Sequence, residues 1–227
     1  MGLITTKDHI KNVVDAIDKT IVVNSVVADG SNWKLMTTNT KWATYGKILS
    51  GKVIKEVVFN ESITIAAATQ PATGIYNLAS PFFYFGTFLE TNSELIKVSS
   101  SNNKLPLIYL HMNAPERFAD EEATIDFESD CAIYFLVDAD PKNWLRSTHL
   151  EQAIKPMKSL CSEFIRSLFA YSRTNASNKI TYVENDYANF GKVQWEGVKS
   201  QIFADNTSGT ELLINIPFNK CFSCCEN

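Results

Sequence analysis

The chain is 227 residues long, with 45% apolar and 20% charged residues and a formal net charge of −4. That length suits one large domain or two small ones, and the composition is too apolar for a disordered chain. The mild acidity argues against non-specific binding to nucleic acid or anionic membranes, which needs concentrated Lys and Arg.

The first predicted element is a helix over residues 7–19, capped by Thr5 or Thr6, with Ile10, Val13, Val14 and Ile17 on one face. This amphipathic start has neither the basic n-region nor the apolar core of a signal peptide, and no apolar run approaches the ~18 residues of a membrane span. Gly2 with Thr6 matches the short myristoylation pattern, but the helix signals account for the same residues.

A β-hairpin is expected next. Residues 20–27 and 33–38 form its strands, and Asp29-Gly30 supplies the positive φ of a tight turn. Residues 51–59 and 62–69, rich in β-branched side chains, form a second hairpin about Asn60-Glu61.

The segment 68–88 reads as a long loop. Pro71 and Pro81 flank five aromatics within ten residues: Tyr76, Phe82, Phe83, Tyr84 and Phe85. Neighbouring side chains on an extended chain point to opposite sides, so Phe82–Phe85 cannot all enter one core face. They are therefore candidates for contact with another subunit. Residues 87–97 carry a weak helical pattern, and 99–104 a polar connector.

Residues 105–140 read as an apolar strand, a turn at 113–118, an acidic alternating strand over 122–129 and an apolar strand over 131–140. The strongest local signal follows. Thr148 and Glu151 have the spacing of a capping box, and Leu150, Ala153, Ile154, Met157, Leu160, Cys161, Phe164, Ile165, Leu168 and Phe169 make one apolar stripe. Pro156, placed opposite the stripe with Gln152 and Glu163, predicts a kink around a sheet. After a loop at 171–178, strands are expected over 179–190, 195–206 and 211–218.

This order predicts one α+β domain over 1–227, a mainly antiparallel sheet with two amphipathic helices on one face, an aromatic loop at 68–88 and a short Cys-containing tail.

Chemistry-bearing motifs are sparse. The P-loop, the Rossmann glycine pattern, G-x-S-x-G and H-E-x-x-H are all missing from the sequence. His9, His111 and His149 have no partner at ligand spacing. The acidic set Asp120, Glu121, Glu122, Asp126, Glu128, Asp130, Asp138 and Asp140 would serve a metal-dependent hydrolase, or form the wet face of a strand. Cys131 and Cys161 fall at apolar positions and are expected to be buried free thiols. Cys221, Cys224 and Cys225 suggest three thiolate ligands for zinc, with Glu226 the nearest candidate for the fourth, or a redox pair, but the motif lacks the helix and βαβ setting of redox pairs, and a tail contacting a neighbouring subunit fits as well. No cofactor or metal is expected.

The run 105–168 resembles virion proteins of tailed bacteriophages, in particular those of crAss-like phages of Bacteroidetes. The resemblance rests on Tyr134–Asp138, Asn143-Trp144, Ala153–Met157 and Phe164-Ile165, about a third of the chain. The element order resembles small ring proteins of phage necks, the tail terminators and head–tail joining proteins. That resemblance implies a non-enzymatic subunit of a six- or twelve-fold ring in the virion neck, contacting portal, ring or tail proteins. It implies neither sequence-specific nucleic-acid binding nor membrane contact. Tyr76, Phe82, Phe83, Tyr84, Phe85, Cys221, Cys224 and Cys225 are the expected interface residues. A small hydrolase using the carboxylates at Asp120–Asp140, or a host-interaction adaptor, are the alternatives.

Overall fold

The computed structural model describes residues 5–98, 104–111, 116–118, 126–140, 143–171, 180–190, 192–195, 198–201 and 206–219. Its helices and antiparallel sheets make an α+β fold. Helix α1 (Thr6–Asp15) begins at Thr5, whose hydroxyl accepts from the Asp8 N–H while the Asp8 carboxylate reaches back to Thr5, a reciprocal cap. Ile10, Val13, Val14 and Ile17 are buried as the periodicity predicts.

Strand β1 (Thr20–Val23) leaves the expected first hairpin. It pairs with β7 (Gly74–Asn77), while β2 (Ser25–Asp29) and β3 (Asn32–Met36) form the hairpin, with Gly30 at φ +60°. Strands β4 (Ile48–Leu49), β5 (Lys52–Val58) and β6 (Ser62–Ala66) complete a five-stranded antiparallel sheet in the order β2-β3-β6-β5-β4.

A second sheet has six strands. Its order is β12 (Tyr182–Phe190), β15 (Thr207–Asn219), β11 (Asp126–Asp138), β9 (Leu107–His111), β8 (Phe82–Gly86), with β10 (Glu116–Phe118) also paired to β11. All its pairings are antiparallel except β8 with β9, which run parallel. The acidic and apolar runs expected as separate strands are one continuous strand, β11. The single strand expected over 195–206 is also revised: β13 (Lys192–Trp195) and β14 (Val198–Gln201) pair as a hairpin, Trp195 opposite Val198.

The segment 68–88 is not a long loop. It contains β7 and β8 and runs into helix α2 (Phe88–Lys97), capped by Thr87 and Glu90.

The long helix has three parts: α3 (Arg146–His149), a π-helical turn (Leu150–Ile154) and α4 (Lys155–Tyr171). The predicted capping box does not form. The helix starts three residues earlier, at an uncapped Leu145, and Glu151 instead meets Lys155 at 2.5 Å. In the π-turn the Lys155 N–H donates to the Leu150 carbonyl, five residues back. Pro156 follows directly. A proline has no N–H and crowds the carbonyl four residues before it, and the wider turn accommodates both defects.

The extra residue shifts the phase of the stripe. Ile154, Met157, Cys161, Phe164 and Leu168 are buried as expected, but upstream the buried position is His149, and Leu150 is 42% exposed. Pro156 is buried rather than opposite the stripe. So is Glu163, whose two oxygens accept from Arg166 at 2.8 and 2.9 Å.

Helices α1 and α4 share one face of the six-stranded sheet. Their apolar sides meet Ile108, Leu110, Ile133, Phe135, Leu212 and Ile214, and the same core continues into Leu35, Ile54, Ile63 and Ile65 of the five-stranded sheet. On the opposite face α2 brings Leu95 onto a second cluster with Leu107, Tyr109, Tyr134, Leu136 and Phe190.

An ion pair ties the start of β1 to the loop after β3. The buried Lys41 ammonium donates to the Asp18 carboxylate at 2.7 Å and to the Asp18 carbonyl at 2.8 Å. That bond, with help from the Thr20 N–H and hydroxyl, holds the Asp18 carboxyl at about 2, against an ordinary 3.8. A depressed carboxylate pKa stabilises the fold fully above pH ~4, and the contribution is lost as pH falls through about 2. The Asp18 side chain is 58% exposed, so solvent screening limits the effect to about 1 kcal/mol. Asp18→Asn should therefore destabilise by that amount in urea melts at pH 7 and by nothing measurable near pH 2.

Candidate interaction surface

Strand β8 is the edge of the six-stranded sheet, because among the described residues only β9 pairs with it. The predicted interface aromatics therefore lie on a sheet edge, and they divide between its faces. Phe83 and Phe85 turn to the main core beneath α1, while Phe82 and Tyr84 turn to the second cluster with α2 and Phe88. All four are half-buried. The expectation that they cannot share one core face is met by cover on both sides. Tyr76 sits apart on β7, half-buried against the main core, its hydroxyl donating to the Ala72 carbonyl at 2.6 Å.

A hollow between α1 and β8 is lined by Lys7, Asp8 and Lys11 of α1 and by Phe83, Tyr84 and Phe85. The Lys7 ammonium stands 5.9 Å from the centre of the Phe85 ring, and Lys11 pairs with Asp15 one turn on. The sequence reading missed both lysines. Their i, i+4 spacing on the wet face of α1 was visible, but nothing in the sequence placed that face beside residues 83–85.

The carboxylates proposed for a hydrolase are dispersed. Asp130 accepts from Asn215 at 2.8 Å, Asp138 pairs with Lys47 at 2.9 Å, and Asp140 accepts from the Asn143 side chain at 2.6 Å. Asp130 and Asp138 are eight residues apart on one strand, roughly 27 Å. Asp126 and Glu128 belong to the backbone of β11, and Asp120, Glu121 and Glu122 lie outside the described residues. Among the described residues no three His, Cys, Asp or Glu side chains gather as metal ligands.

His149 Nδ1 lies 3.1 Å from the Ser208 hydroxyl, but both residues are buried, which leaves a substrate no approach to the pair. His9 is half-buried, and burial lowers its pKa. The His111 ring lies tilted against Phe88, with ring centres 4.8 Å apart.

A second polar cluster sits beside the aromatic face. The buried Glu211 accepts from Asn185 at 2.9 Å and from the Tyr187 hydroxyl at 3.1 Å. Burial, and then the nearby Glu211, push the Tyr134 phenol up. With donors already turned to the carboxylate, this is a satisfied structural network. Cys131 and Cys161 are buried free thiols, and burial pushes the Cys161 thiol up. Cys221, Cys224 and Cys225 lie outside the described residues.

No helix among the described residues is long and apolar enough to cross a membrane. No protein-family model matches the chain, and no curated protein or solved structure matches it either.

Proposed function

We propose that this chain is a virion structural subunit that assembles into a closed ring in the neck of a tailed phage, of the tail-terminator or head–tail joining kind, and that it works by contact and not by catalysis. The observation that carries this reading is the aromatic edge of β8. Natural edge strands are blunted by lysines, prolines or bulges, because an open apolar edge templates association. The five residues of β8, Phe82–Gly86, have none of these devices. The resemblance of residues 105–168 to phage virion proteins points the same way.

On this reading Phe82, Phe83, Tyr84 and Phe85 lie at or near the subunit joint, with Tyr76 beside them, and the tail with Cys221, Cys224 and Cys225 contacts the neighbouring copy. The partners are copies of the chain, six or twelve to a ring, and the portal, ring or tail proteins stacked above and below. Light scattering on the purified full chain tests it. The expected mass is six or twelve subunit masses, independent of dilution over a tenfold range. A single subunit mass at every concentration would refute the ring.

A further inference from the structure

We propose that β8 of one copy pairs antiparallel with β12 of its neighbour, head to tail, so that the six-stranded sheet runs on from subunit to subunit. The inference rests on the ring reading above and names the two surfaces that would join.

Both strands are edges of one sheet, and among the described residues neither has a partner on its outer side. Their directions are compatible. Strands β8 and β9 run parallel, and the three pairings from β9 through β11 and β15 to β12 are all antiparallel. Strand β12 therefore runs opposite to β8. A rotation about an axis along the strands preserves direction, so successive copies meet with these edges antiparallel.

The free backbone groups also correspond. The Phe82 N–H donates to Pro106 at 2.9 Å, on the β9 side, so by alternation the peptide groups of Phe83 and Phe85 point outward. The Asn215 N–H donates to the Thr181 carbonyl at 3.4 Å, so Thr181 faces β15 and the groups of Tyr182, Glu184 and Asp186 point outward. Strand β12 keeps regular register with β15 from Tyr182 to Tyr187, and its irregularity lies beyond, before Phe190.

Charge selects this joint over a two-fold one. Lys7, Asp8 and Lys11 line the hollow beside the edge strand β8; Asp8 is turned back to cap Thr5 and Lys11 pairs with Asp15, which leaves Lys7 as the cation nearest Phe85. On β12, Asp186 reaches Lys158 of α4 at 2.9 Å, which places the even-numbered residues, Glu184 among them, on the helix side of the sheet. The lysines of α1 lie on that same side. Pairing β8 with a second β8 would set lysines against lysines, and pairing β12 with a second β12 would set Glu184 against Glu184. The head-to-tail joint brings exposed Glu184 towards Lys7 and Lys11.

The experiment uses two full-length variants, each blocking one edge. Phe83→Pro removes an outward N–H from β8, and Glu184→Pro removes one from β12, without touching the bonds to β9 or β15. Each alone should assemble ~10-fold or more weakly than the parent. Mixed together, they should form a dimer and stop, because one good β8 and one good β12 remain and the joint consumes both. Circular dichroism establishes that each variant is folded. Should either proline variant fail to fold, the charge pair serves instead: Lys7→Glu and Glu184→Lys should each weaken assembly, and the two in one chain should restore it. Parental assembly by both proline variants, or single charge variants without effect, would overturn the joint while leaving the ring standing. A parent that forms open filaments sensitive to both blocks would support the joint and refute the closed ring. A parent that is monomeric at all concentrations would overturn both.

Discussion

Phe164→Ala is expected to lower stability by about 3–5 kcal/mol. Phe164 is fully buried where α4 crosses the sheet, and its ring meets Phe135 of β11 edge-on at 5.6 Å. Met157, Leu160, Cys161 and Leu168 belong to the same core, so the neighbours cannot collapse into the space without leaving their own contacts. In a domain of this size the loss should lower the melting temperature by roughly 10 °C. Leu150→Gln is the control. The unbroken apolar stripe would bury Leu150 as deeply as Phe164, whereas the π-turn leaves it 42% exposed, so its substitution should cost less than about 1 kcal/mol. Equal losses at the two positions, measured by urea unfolding, would mean that the phase shift is absent in solution.

Gly209→Ala is expected to be as damaging, for the opposite reason. Gly209 sits in the inner strand β15, opposite Leu136 on one side and Tyr187 on the other. A Cβ there would lie 1.8 Å from the Phe135 carbonyl oxygen and 3.1 Å from the Leu136 Cα. Both are backbone atoms in a 13-residue ladder, so no side-chain rotation relieves the clash, and β11 and β15 must part locally. The expected loss is about 3 kcal/mol or more, at the upper end of overpacking effects. Gly30→Ala offers a contrast. It meets nothing within 4 Å, and its only cost is the left-handed backbone at φ +60°, about 1 kcal/mol. A Gly209→Ala protein within 1 kcal/mol of the parent would contradict the close approach of these strands.

The elements legible in the sequence were those whose pattern is local. The stripe Ile154–Leu168 and the face Ile10–Ile17 follow from a 3.6-residue period, and the hairpin of β5 and β6 follows from β-branched strands about Asn60. What could not be read depends on distant partners. Strand β1 pairs with β7 more than fifty residues away, so Thr20–Val23 looked like the start of the hairpin it merely precedes. Strand β8 is covered on both faces, by α1 and by α2, and four consecutive aromatic residues with no alternation, bounded by Pro81 and Gly86, resemble a loop. Strand β11 changes from acidic alternation to a solid apolar run, and from Ile133 to Leu136 its side chains enter a core on each face, so the change of pattern looked like a change of element. The π-turn had a signal in Pro156, which was read as a kink on the outer face.

The candidate surface was legible in part. Five aromatics in ten residues drew attention to the right segment, and alternation required two faces. That β8 and β12 are the two ends of the sheet among the described residues, and that Lys7 and Lys11 stand beside β8, are facts of topology, with no counterpart in a linear pattern.

The most direct measurement is electron imaging of the purified full-length protein, followed by classification of the particles by rotational symmetry. The ring reading predicts closed particles with six- or twelve-fold symmetry. Single compact particles of one subunit, or two-fold dimers with no larger closed species, would contradict it.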